Sequence, residues 1–294
     1  MTTLIVGCGY LGRRVGARLA RRGERLLGTT RSAERAPTLA NLGIEPVIAD
    51  VLDPGSLAGW PEADRVLYCV GFDRSAGVAM RTAYVEGLRH ALDRLAGRAG
   101  RLVYVGSTGV YGQTGGEWVD EASPTEPTHE AGRVALDAER LARRVGDRRG
   151  LPVVVVRYSG LYGPGRIVRR ASLERGEPIA GDPARSLNLI HIDDAAEAAI
   201  AALDRGAPGE VYLASDDRPV ARREYYTLAA RLVHAPAPRF EIPAPGTSEA
   251  RRDASNKRVS NRRMREALRV SLRFPDITTG LPAAIRAEAG GSGD

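Results

Sequence analysis

Short apolar runs alternate with longer amphipathic stretches through the first half of the chain. The apolar runs predict strands at Leu4–Val6, Leu26–Thr29, Pro46–Ala49, Val66–Val70, Leu102–Val105 and Val153–Arg157. Helical spacing between them predicts helices over Leu11–Arg22, Ala33–Leu42, Met80–Leu95 and Val134–Val145. Strand and helix in strict alternation imply βαβ units and a parallel sheet. Val153 to Val156 form an unbroken β-branched run, as a strand covered on both faces requires. Beyond Arg157 the rhythm changes. A Gly/Pro loop, Leu161 to Arg166, precedes a short helix, and Gly181-Asp182-Pro183 marks a turn. Leu187–Ile192 reads as a strand, and Asp193 as the cap of an alanine-rich helix reaching Leu203, with Asp194 in its first turn. Glu210–Leu213 is a last strand. Helices over Arg222–Val233 and Asn261–Leu268 flank a Pro-rich linker, Pro236 to Pro245.

The pattern predicts an α/β chain with a doubly wound parallel sheet and a smaller C-terminal lobe. Residues 1–160, completed by about 187–214, make the first unit. Residues 161–186 and 215–285 make the lobe, and 286–294 a frayed tail.

Where the first strand meets the first helix the sequence reads Gly7-Cys8-Gly9-Tyr10-Leu11-Gly12, a G-x-G-x-x-G in the context that gives it meaning. Gly7 permits the tight turn, Gly9 lets backbone approach a diphosphate, and Gly12 lets helix pack on sheet. The N–H groups of Tyr10 and Leu11 open the helix with its positive dipole end. This is the signature of a Rossmann-type dinucleotide site. The second strand would carry an acid for an NAD ribose; here it ends Thr29-Thr30-Arg31-Ser32, without one. Thr30 can donate a hydrogen bond and Arg31 can pair with a 2′-phosphate, which favours NADP over NAD.

Composition narrows the class. At 294 residues and 43% hydrophobic content the chain can bury a substantial core. The two cysteines, Cys8 and Cys69, sit in apolar runs and read as reduced structural thiols. No secretory signal and no bilayer-length apolar stretch is visible, so a cytoplasmic protein with no membrane partner is expected. The net charge is +7, and of 43 basic residues one, Lys257, is a lysine. The arginines are scattered without interleaved aromatics, which argues against nucleic acid and for a basic surface that attracts small anions. No metal is assigned.

Several separated segments resemble the extended short-chain dehydrogenase/reductase family, which includes NAD-dependent sugar-nucleotide epimerases and dehydratases. They are the N-terminal glycine turn; Asp50-Val51 after the third strand; Val105-Gly106-Ser107-Thr108-Gly109-Val110-Tyr111-Gly112; Arg157 to Arg166 (RYSGLYGPGR); and Leu189–Asp194 (LIHIDD). The resemblance implies that Asp50 and Val51 bracket an adenine and that Val70, Gly71 and Tyr158 touch the cofactor. It also implies that Ser107 orients a substrate, with Thr108 and Arg166 as substrate contacts. Arg166 read by itself is either an anion clamp or a surface arginine. The family often dimerises through two helices, here Met80–Leu95 and Val134–Val145.

The family's Tyr-x-x-x-Lys pair is missing. Registered on the neighbouring pattern, its positions hold Ala131 and Ala135, and the only lysine, Lys257, has Asp253 four residues before it. The chain is thus an atypical member by this resemblance. Tyr111 is the leading substitute proton donor, with His129 and Glu130 behind it. Arg185 is a substitute for a lost phosphate-reading arginine, and His191 reads as a core histidine. Trp60 and Trp118 are structural or substrate-lining. Two functions stay open: an NADP-dependent oxidoreductase or epimerase-like enzyme for a small polar or anionic hydroxyl or carbonyl compound, sugar-derived; or an NADP(H)-binding sensor with little turnover.

Overall fold

A computed structural model of the chain describes residues 1–247, 250 and 253–290. Seven strands form one parallel sheet: β1 (Thr2–Val6), β2 (Arg25–Thr30), β3 (Glu45–Ile48), β4 (Arg65–Tyr68), β5 (Leu102–Ser107), β6 (Val153–Tyr158) and β7 (Val211–Ala214). Their order is β7-β6-β5-β4-β1-β2-β3, so the chain winds outward in both directions from β1. The expected α/β, Rossmann-type architecture is therefore the one observed.

The β-branched run in β6 shows why the sheet is buried on both sides. Val153 and Val155 enter the cluster that holds Leu4, Val66 and Leu102. Val154 and Val156 enter the opposite one, with Ile5, Leu67 and Val103. Strand side chains alternate between faces, so only a continuous apolar run serves both. Helices α1 (Tyr10–Ala20), α2 (Ala36–Ala40) and, later in the chain, α5 (Ile192–Arg205) cover one face. Helices α3 (Gly87–Leu95) and α4 (Glu130–Arg149) cover the other. In α5, Ala195, Ala196, Ala198, Ala199, Ala201 and Ala202 are all fully buried, and their small size lets it lie close against α1 and the sheet.

Several elements depart from the sequence pattern. The segment predicted as one helix over Met80–Leu95 contains a π-helical turn at Thr82–Glu86 before α3. Leu187–Ile192 does not join the main sheet. It gives two short strands, Ser186–Leu187 paired with Val220–Ala221 and Leu189–His191 paired with Gly160–Tyr162. Asp193 is not the helix cap: His191 is, its Nδ1 accepting the Asp193 N–H at 3.2 Å. The Asp193 carboxylate instead pairs with Arg18 at 2.8 Å, and Asp194 accepts the N–H groups of Arg273 and Phe274 at 2.8 Å each.

The smaller lobe has its own core, built on Tyr162, Ile179, Tyr225, Ile277 and Leu281. It comprises α6 (Arg222–Leu232) and α7 (Ile277–Gly290). Residues 286–290, expected in a tail, continue α7, while 291–294 lie outside the described residues. The Pro-rich linker contributes a two-residue strand, Phe240–Glu241, paired with Ile179–Ala180.

At the edge of this core Asp216 is 1% exposed. One carboxylate oxygen accepts the Arg218 N–H at 3.3 Å, and the other meets no donor among the described residues. Burial pushes its carboxyl up to about 8. The folded chain thus keeps a proton that an unfolded Asp releases near pH 4, taking about 3.9 as its ordinary value. That contribution is complete below about pH 4 and is lost as pH rises through about 8. Asp216→Asn should therefore gain stability over the parent at pH 8 relative to pH 5, read from urea midpoints at the two pH values. Parallel pH dependence of the two proteins would contradict this.

Candidate functional site

A cleft of ≈ 960 Å³ opens at the C-terminal ends of the strands, where the order reverses between β1 and its neighbours β2 and β4. Such reversals leave a crevice because the flanking connections run to opposite faces of the sheet. The glycine turn forms its floor. Gly7 has φ +97°, and a Cβ there would sit 2.8 Å from the Val70 nitrogen and 2.9 Å from the Cys69 carbonyl, so no other residue fits. Gly9, in contrast, faces empty space within 4 Å. It precedes α1, which carries no side-chain cap and no acid in its first turn. The first N–H groups of α1 are thus left for an external acceptor, and the cradle fits a diphosphate.

Thr29, which sequence reasoning passed over, fixes this turn from the neighbouring strand. Its buried hydroxyl accepts the Gly7 N–H at 2.9 Å. The Cys69 thiol donates to the Gly7 carbonyl at 3.1 Å. Cys8 and Cys69 are free thiols, and burial pushes Cys8 up to about 12 and Cys69 well above its ordinary value.

At one end of the cleft lie Thr30, Arg31, Asp50 and Val51. Arg31 is exposed and pairs with Asp73 at 2.8 Å across the cleft mouth. The Ser75 hydroxyl, foremost, and Arg31 hold the Asp73 carboxyl down at about 2. Asp50 accepts the Leu52 N–H at 2.9 Å, and the Val51 carbonyl is 2.9 Å from His90 Nδ1, so the segment after β3 is pinned. The backbones of Val70 and Gly71 run along the same wall.

The other end holds Ser107, Tyr158 and Arg166. Ser107 Oγ accepts the Gly109 N–H at 3.0 Å, which leaves its own proton available. Arg166 stands 5.6 Å over the ring of Tyr10, and no carboxylate among the described residues pairs with it. The Tyr10 hydroxyl donates to the Pro164 carbonyl at 3.0 Å, tying α1 to the Gly-Pro-Gly loop. Tyr158 donates to the Ala195 carbonyl at 3.0 Å, so its phenol points into the protein.

Gly12 lies beneath the turn, off the cleft wall, where a Cβ would meet the Gly7 carbonyl oxygen at 2.5 Å, the close packing expected of it. Two residues expected at the site stand off the cleft. Thr108 is buried, its hydroxyl donating to the Tyr158 carbonyl at 3.3 Å, and does not line the cleft. Tyr111 is 1% exposed and off the cleft. Its hydroxyl donates to the Asp120 carbonyl at 2.8 Å and accepts from Arg157 at 2.6 Å. Burial, the dominant influence, pushes this phenol up to about 12. Its proton is committed to a structural bond.

The remaining candidates also find ordinary roles. His129 caps α4 by accepting the Gly132 N–H at 3.0 Å. Arg185 donates to the Asp253 carbonyl and lies 3.5 Å from Asp182, so it is spent within the lobe. His191 is buried, T-shaped to Tyr162, and burial lowers it to about 4, so it is neutral. Trp60 is in the core, and Trp118 is exposed beneath Arg258. Lys257 is buried, donating to the Tyr111 carbonyl at 3.1 Å and the Ser255 hydroxyl at 2.8 Å.

One buried ion pair in this region has no signature in the sequence. Arg157 and Glu139, 4% and 2% exposed, form a two-armed pair at 2.7 and 2.8 Å. A helix glutamate and a strand arginine 18 residues apart carry no recognisable spacing. The pair locks α4 to β6 below the position of Ala135, which lines the cleft with a methyl group alone.

Glu139→Ala would strand a buried guanidinium and should destabilise the fold by about 3–5 kcal/mol, measured by urea unfolding. A loss below about 1 kcal/mol would show the pair to be solvent-screened. Gly9→Ala adds a methyl to open space and should leave the melting temperature within a few degrees, yet weaken nicotinamide dinucleotide binding at least about tenfold. Unchanged affinity in a fluorescence titration would remove the diphosphate from this turn.

The chain matches the profile of the NAD dependent epimerase/dehydratase family over residues 3–214. Protein YeeZ of Escherichia coli (strain K12) is 29% identical over 244 residues, covering 80% of this chain and 85% of that protein. The structure of a functionally unknown conserved protein from Silicibacter pomeroyi superposes with a TM-score of 0.78 at 29% identity, covering 97% of this chain and 98% of the other. DesIV, a dTDP-glucose 4,6-dehydratase from Streptomyces venezuelae solved with NAD and TYD bound, shares the fold with a TM-score of 0.83 at 20% identity, over 100% and 98% of the two chains. A match that takes in most of the sequence, on a fold and a glycine turn that agree with it, makes this protein a member of the NAD dependent epimerase/dehydratase family.

Proposed function

We propose that the protein is an NADP-dependent oxidoreductase acting on a small polar or anionic compound with a hydroxyl or carbonyl group, sugar-derived in class. The observation that carries this reading is one continuous cleft with the Gly7–Gly9 turn at its centre, Arg31 at one end and Ser107 at the other. A bound dinucleotide would supply two electrons as hydride, and the cleft residues do the rest. The turn and the start of α1 hold the diphosphate. Thr30 and Arg31 meet the adenosine ribose. Ser107, with its free proton, orients a carbonyl oxygen by hydrogen bonding. Arg166, paired with no carboxylate among the described residues and beside Tyr10, draws an anionic group of the substrate towards the loop at 163–166.

The preference for a phosphorylated ribose rests on Arg31 and on the absence of an acid at the end of β2. DesIV was solved with NAD. In this chain the guanidinium is held at the cleft mouth by Asp73, and a 2′-phosphate would compete for it with more charge. The sensor reading keeps one observation in its favour, the bare methyl groups at Ala131 and Ala135. It predicts binding without turnover.

NADPH should bind more tightly than NADH, and Arg31→Ala should reduce that preference by about tenfold or more, equivalent to about 1.4 kcal/mol. Titration of both nucleotides by fluorescence checks this. Equal affinity in the parent protein would remove the NADP preference.

A further inference from the structure

The cleft lacks a phenol on α4, yet one reaches it from another element. Tyr84 sits in the π-helical turn Thr82–Glu86, which packs against α4 and lines the cleft with Ala135 and Ser107. Its hydroxyl oxygen accepts the Phe72 N–H at 3.2 Å, and its ring leans on that of Phe72 at 6.2 Å. It donates to no group among the described residues, so its proton is uncommitted.

Two of the other tyrosines bordering the cleft differ on this point, and the third differs in burial. Tyr10 and Tyr158 spend their protons on the Pro164 and Ala195 carbonyls. Tyr104 is 5% exposed, and burial pushes its phenol well up. Tyr84 is half-buried, in reach of water as well as the cleft. A backbone N–H already directed at its oxygen would stabilise negative charge there once the proton has left. The widened turn is itself unusual, since π turns are rare and gather at functional sites.

We propose that Tyr84 is the proton-transfer residue of this site, taking from the π turn the part that α4 cannot play. The inference rests on the oxidoreductase reading above. In the reducing direction the substrate's carbonyl carbon receives a hydride from the reduced nicotinamide as its C–O π bond breaks. The π electron pair moves to the oxygen, and that oxygen takes the Tyr84 phenolic proton. The phenolate, held by the Phe72 N–H, regains a proton from water. The sum is carbonyl plus NADPH plus H⁺ giving alcohol plus NADP⁺, with the carbonyl reduced and the nucleotide oxidised. Ser107 orients the same oxygen without losing its proton.

The test uses the full chain and Tyr84→Phe, which keeps the ring and removes the hydroxyl. With tyrosine labelled at Cζ, the variant assigns the Tyr84 NMR resonance, and adding NADP⁺ should shift it. Turnover is measured with NADPH against methylglyoxal, glyceraldehyde and dihydroxyacetone phosphate, and with NADP⁺ against UDP-glucose. Tyr84→Phe should lower kcat by about 10²–10⁴-fold while NADPH affinity changes less than about threefold. A Tyr84 resonance unmoved by saturating NADP⁺, or a variant that turns over like the parent, would overturn the role of Tyr84 and leave the oxidoreductase reading standing. A parent protein that binds NADPH but turns over none of these compounds would overturn that reading and the Tyr84 role with it.

Discussion

Everything in this molecule is arranged around the backbone of Gly7 pressed against the backbone of residues 69 and 70. That contact brings β1 and β4 to the same depth, drops the start of α1 into the gap between diverging strands, and leaves an uncapped helix end facing outward. Thr29 from one neighbouring strand and Cys69 from the other grip the same residue, one at its N–H and one at its carbonyl. A turn held from both sides is pre-organised: its amides need not reorient to meet an anion, so little ordering cost accompanies binding. The price of this rigidity is sequence freedom at a single position.

The fold was largely legible because its signals are local. Glycines at fixed offsets, β-branched runs and 3.6-residue periodicity each act over a few residues, and a two-faced parallel sheet amplifies them. Legibility failed where a contact depends on distant partners. The strand expected over Leu187–Ile192 has good apolar pattern, but β6 already pairs with β5 and β7, so the segment pairs with Gly160–Tyr162 instead. Helix α7 was missed because Pro282 and two threonines weaken its helical signal, and only packing on the lobe core sustains it.

The site divides along the same line. Residues whose role is carried by backbone or by chain position, such as Gly9, Asp50, Val70 and Gly71, fall on the cleft as the motifs suggested. Side-chain roles were harder to foresee. Tyr111 and Thr108 stand in a motif segment, yet their hydroxyls are absorbed by Asp120, Arg157 and Tyr158, because burying a polar group demands a partner more urgently than catalysis does. Tyr84 lies outside the glycine-turn, Ser107 and Gly-Pro-Gly motifs, and its place on the wall belongs to a π turn that helical periodicity does not reveal. Arg31 and Arg166 stand out among many arginines by motif position, and the structure places both on the cleft, with Arg13 and Arg35.

The last turns of the chain have an influence far from their position in it. Glu288, on α7, accepts the Gly165 N–H at 2.6 Å and also holds Arg170. The loop that presents Arg166 is thus buttoned down by the carboxyl-terminal helix, more than a hundred residues away in sequence. A substitution at Glu288 would therefore be felt at the Gly-Pro-Gly loop and at Arg166, which that loop carries.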